Sequence, residues 1–137
     1  MIFRFKSNYK RRSYQECLME LTTEQSLQYG ITAHSAGKLE EAERFYRAVL
    51  QSQPTNPDAN HNLGLIAVSI NKIDVALPLF KTALEANAKI EQFWLSYINA
   101  LIKQKQFRNA KHVLEQAEKE GFDGKKLSWK IMQKYNY

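Results

Sequence analysis

The sequence predicts an all-α fold, a stack of three helical hairpins closed by one further helix. Three observations carry that expectation. Residue types return at a spacing of 34 along most of the chain. Glu, Lys, Gln, Ala and Leu dominate, and these are good helix formers. Only 5 Gly and 3 Pro occur in 137 residues, too few for a sheet protein with many tight turns. A chain of this length can bury a core of ordinary size without disulfide staples.

The repeat is read from six classes of position. Gly30 returns as Gly64. Ala42 returns as Ala76 and Ala110, and Tyr46 as Phe80 and Leu114. Tyr29, Leu63 and Tyr97 form a fourth class; Leu39, Ile73 and Phe107 a fifth; Val49, Ala83 and Ala117 a sixth. Two helices approach closely only where one presents a small residue, which is the work of Gly30, Gly64 and the three alanines. Tyr46 and Phe80 then fill the adjoining space.

Taken in order, Ser13-Tyr14-Gln15-Glu16 has the form of a capping box ahead of a short helix over 14–21, with Tyr14, Cys17, Leu18 and Leu21 at helical spacing. The main helices are predicted over 24–36, 39–52, 57–70, 73–86, 91–103 and 107–120. Thr22, with Gln25 three residues on, closes a capping box for the first; Thr23 cannot, because Ser26 stands in the matching place. Gly37 and Asn71 suit turns that need a left-handed backbone. Pro54 drives Gln53 out of the helical region, and Pro57 suits the first turn of the next helix. Asp74 is read as the cap of the fourth helix, and Pro78, one turn in, as at most a mild kink. A final helix over 125–135 places Leu127, Ile131 and Tyr135 on one stripe, flanked by Trp129 and Met132, to cover the last apolar face. The expected organisation is a basic segment 1–22, repeats 23–56, 57–90 and 91–124, and a capping helix 125–137.

Charge is unevenly spread. The net charge is +6, with +5 in residues 1–14, −2 in 15–20, −2 in 21–102 and +5 in 103–137. Cys17 is alone, which excludes an internal disulfide and suits a reducing compartment. No apolar run approaches a membrane span, and no apolar stretch of secretory type follows the basic start, so a cytoplasmic protein is expected. Catalysis finds no support. His34, His61 and His112 fall at no metal spacing, and neither a phosphate-cradling glycine loop nor a nucleophile motif is present, so no cofactor and no metal are expected.

The second unit, Asn62-Leu63-Gly64 with Ala67 through Leu79-Phe80-Lys81-Thr82-Ala83-Leu84, resembles the tetratricopeptide repeat, as does the first unit ending at Pro54. The third departs: Ile98 replaces the small residue and Phe122 stands where proline is common, although Trp94 occupies the family's frequent tryptophan position. The third unit also resembles the closing repeat in front of bacterial relatives of O-linked N-acetylglucosamine transferases and some sulfotransferases. The family resemblance implies a right-handed superhelical solenoid whose inner face is lined by the first helix of each pair, and hence a non-catalytic module that holds a peptide or helix. The implied groove residues are Leu27, Ile31 and His34; His61, Asn62 and Leu65; Gln92, Leu95 and Asn99. Glu24, Asp58, Val68 and Ile102 extend the set.

Relatives that clamp the C-terminal carboxylates of heat-shock chaperones do so with Lys, Asn, Asn, Lys and Arg. The matching positions here are Leu27, Ile31, Asn62, Gln92 and Ser96, so the cations are missing and that partner class is not expected. In transferase-type repeats asparagines hold the peptide backbone, a role Asn62 and Asn99 fit. Three readings stay open: a protein-binding scaffold, the acceptor-presenting front of a larger transferase, and a nucleic-acid or anionic-surface binder through Arg4, Lys6, Lys10, Arg11 and Arg12, which are interleaved with aromatic residues. Exposed apolar faces also allow self-association.

Overall fold

A computed structural model describes residues 21–134, and all regular structure among them is helical. The helices are α1 (Thr23–Ser35), α2 (Leu39–Ser52), α3 (Pro57–Ser69), α4 (Ile73–Ala86), α5 (Glu91–Lys103), α6 (Phe107–Lys119) and α7 (Gly124–Lys134). All but the last residue of the predicted helix over 14–21, the five basic residues Arg4, Lys6, Lys10, Arg11 and Arg12, and Cys17 lie within 1–20, outside the described residues. The chain divides into two compact units, 1–54 and 55–137.

In the first unit α1 and α2 form one hairpin. Thr22 caps α1 as the sequence predicts: its Oγ1 accepts from the Gln25 N–H at 3.1 Å, and the Gln25 side chain accepts from the Thr22 N–H at 3.0 Å. The turn at Gly37 is left-handed, with φ 77°. Gly30 faces Tyr46 so closely that a methyl group added there would stand 2.6 Å from the Tyr46 ring. Tyr46, Val49 and Ala42 are completely buried.

The second unit contains α3 to α7. Asn56 caps α3 by accepting from the Ala59 N–H at 2.9 Å, and Pro57 occupies the first helical turn. Gly64 meets the Phe80 ring just as Gly30 meets Tyr46. The third hairpin, α5 and α6, solves the same packing from the other side: Ile98 is 2% exposed, and Leu114 packs half-buried against the same core. The core continues through Phe93, Trp94, Leu101 and Val113 to Leu127 and Ile131 of α7. Trp94 also anchors the loop before α5, its indole N–H donating to the Ala88 carbonyl at 2.9 Å.

One expectation is corrected. Asp74 does not cap α4, which begins at Ile73 after Lys72; Asp74 lies inside the first turn, where its charge still favours the helix dipole. Helix α4 runs unbroken past Pro78.

Candidate binding surface

The first helix of each hairpin carries the predicted binding residues. On α1, Leu27 is half-buried and Ile31 is exposed. His34 leans back onto the hairpin, with Nδ1 3.2 Å from the Tyr46 hydroxyl, so its ring is partly committed to the interior.

On α3, Asn62 is half-buried and Leu65 rests on the cluster of Ala67, Ile73 and Phe80. Along α5, Leu95 packs half-buried on the core, Asn99 is half-buried and Gln92 is exposed. The spacing of Asn62 to Leu65, and of Gln92 to Leu95 and Asn99, puts amides and apolar side chains on shared helix faces. Such a surface can hold a backbone by amide hydrogen bonds and seat side chains on its apolar parts.

His61 does not line an open wall. It is 5% exposed, its ring lies between Phe93 and Phe80 at centroid distances of 4.6 and 5.6 Å, and Nε2 is 2.8 Å from the Ser96 hydroxyl. The Gln92 side chain also donates to that hydroxyl, at 3.4 Å. Ser96, one of the chaperone-clamp positions, is therefore buried and bonded as well. Helical spacing placed His61 beside Leu65; it could not show that a neighbouring helix covers it.

Sequence reasoning missed a groove of 810 Å³ on the other side of the second unit, lined by Leu77, Leu84, Trp94, Tyr97, His112 and Gln116 among others. Burial, and then the negative charge of Glu85, raise the Tyr97 pKa above the ordinary tyrosine value. In the sequence Tyr97 stands only in a packing class; the signal for the groove is the polar set Asn109, His112 and Gln116 at helical spacing on α6.

Among the described residues no group of three or more His, Cys, Asp or Glu side chains could hold a metal ion. Nor is any helix among them long and apolar enough to cross a membrane.

Residues 27–56 and 57–90 each match the tetratricopeptide-repeat family. Among solved structures, one described as MamA from AMB-1 superposes with a TM-score of 0.65 at 24% identity, a likeness of fold. The match covers 72% of this chain and 54% of MamA, so the chain spans about half of MamA's length over the match. No curated protein matches the sequence. The glycine–aromatic contacts of the first two hairpins agree with the family match: residues 27–56 and 57–90 carry the tetratricopeptide-repeat pattern.

Proposed function

We propose that the chain is a non-catalytic protein-interaction scaffold, and that the inner faces of α3 and α5 hold a segment of a partner protein, extended or helical. The observation that carries this reading is the pairing of half-buried Leu65 and Leu95 with Asn62, Gln92 and Asn99 on the same helix faces. Apolar anchors give affinity, and amides fix the register of a bound backbone. The surface lacks the cations that a carboxylate-terminated tail needs, so the expected ligand is an internal segment with apolar side chains. In the first unit Leu27 and Ile31 offer a smaller surface of the same kind.

Affinity capture with the intact chain tests this. Proteins retained by the wild type should be lost from a Leu65→Glu, Leu95→Glu variant and weakened by Asn62→Ala with Gln92→Ala. The second variant leaves the apolar packing in place, so its loss of binding cannot be attributed to unfolding. Recovery of the same proteins by all three would overturn the reading.

A further inference from the structure

The two ends of the second unit differ in chemistry. At the end holding the loops between hairpins, acids and bases are mixed, and two ion pairs form. Lys89 meets Glu120 at 3.5 Å, and Lys130 meets Glu91 at 2.5 Å. The opposite end is made by the turns inside the hairpins, at residues 69–75 and 103–111. There Lys72, Lys103, Lys105, Arg108 and Lys111 face a single acid, Asp74. All five cations are exposed, and among the described residues none forms an ion pair.

Both turns lie at the same end. His61 on α3 bonds Ser96 on α5, and farther along both helices Ala67 and Ala100 share one cluster. The helices therefore run in the same direction, and the turns that follow them sit side by side. Each turn also carries exposed apolar side chains: Ile70 at 51% and Val75 at 44% on the first, Phe107 at 62% on the second. Phe107 occupies the repeat position of Ile73, which is only 8% exposed, so the third hairpin projects outward what the second buries. The charge is reversed in the same register. The first turn of α2 holds Glu40 and Glu41 and that of α4 holds Asp74, whereas α6 has no acid there and places Arg108 where it opposes the helix dipole.

We infer that this end of the second unit docks on an anionic lipid surface, with Ile70, Val75 and Phe107 entering the headgroup region and Lys72, Lys103, Lys105, Arg108 and Lys111 meeting the lipid phosphates and carboxylates. Protruding apolar tips ringed by unpaired cations suit a soft, negatively charged interface. A nucleic-acid surface would call for several stacking rings, and two of the three tips here are aliphatic. The inference does not depend on the inner faces of α3 and α5, which involve other residues.

The test uses the intact chain and sedimentable vesicles, either of phosphatidylcholine alone or of an equimolar mixture with phosphatidylserine. Binding is expected to the mixed vesicles only, and to weaken as salt is raised. Lys103→Glu with Arg108→Glu should lower it by about tenfold or more, and Phe107→Ser by several-fold. Lys119→Glu with Lys125→Glu makes the same change in net charge at the other end and should leave binding within about twofold. All of these side chains are exposed, and far-UV circular dichroism of each variant verifies that the helices are intact. Absence of binding to the mixed vesicles would overturn the inference. Equal losses from both charge-reversal pairs would also overturn it, as would binding that survives the turn variants. Retention of a single-stranded oligonucleotide in place of the mixed vesicles would assign the surface to nucleic acid instead.

Discussion

At the scale of single residues, the repeat is a contact between a missing side chain and a ring. Gly30 lies under Tyr46 and Gly64 under Phe80, and no side chain fits in either place without displacing a ring that is completely buried. Gly64→Ala should therefore destabilise the protein by about 1–3 kcal/mol through overpacking, even though alanine is the better helix former. Phe80→Leu in the same chain should restore part of that loss, because it imitates the third hairpin, where Ile98 stands at the glycine position and the smaller Leu114 at that of the ring, both in one core. Urea denaturation of the single and double variants measures both effects; additive losses would show that the two positions do not share a contact. The glycine–aromatic pairing was legible in the sequence because it recurs at a fixed interval. The burial of His61 was not, because it depends on Phe93 and Ser96 from the next hairpin, and periodicity within one helix carries no record of what covers it.

At the scale of elements, boundaries were legible wherever the chain uses local chemistry. Thr22 with Gln25, Pro57, Gly37 and Asn71 all act within a few residues of themselves, and the helices begin and end beside them. Asp74 misled because an acid near a helix start serves equally well as a cap or inside the first turn. Position 105 gave no signal at all, since lysine is not a turn residue, yet its φ is 58°, close to the 77° of Gly37 and the 61° of Asn71. The hydrogen bonds explain it. In each hairpin the N–H after the left-handed residue reaches back five residues: Lys38 to the Ala33 carbonyl, Lys72 to Ala67, Gln106 to Leu101, at 2.9, 2.8 and 2.9 Å. The same closure forces the same backbone on whatever residue stands there. Lys105→Gly should accordingly stabilise the protein by about 0.5–1 kcal/mol, the relief of a left-handed lysine less the entropy glycine adds to the unfolded chain. A thermal midpoint that stays put or falls would show that the lysine is unstrained.

At the scale of the whole molecule, a run of hairpins ends on an apolar face that needs a cover, and in the second unit α7 supplies it for α5 and α6. Two of the three stripe residues marked in the sequence are buried, Leu127 at 1% and Ile131 at 7% exposed, both joined to the core of α5 and α6, while Trp129 and Met132 flank them at 59% and 50%; the third, Tyr135, lies outside the described residues. Outside that stripe α7 is polar and lysine-rich, and it is held at its start by the Asp123 carboxylate, which accepts from the Lys125 N–H at 2.9 Å. Helix propensity alone would not sustain eleven residues in water, so packing must hold α7 in place. Leu127→Ala should then cost about 2–5 kcal/mol, a large part of the margin of an ordinary domain. The unfolding transition should move to lower urea with its slope unchanged, followed through the fluorescence of Trp94, which lies in the same cluster as Leu127. Trp129→Ala, on the exposed flank, provides the contrast and should stay within about 0.5 kcal/mol of wild type. If the two substitutions cost the same, α7 lies on the unit without completing its core, and the apolar face of α5 and α6 closes by other means.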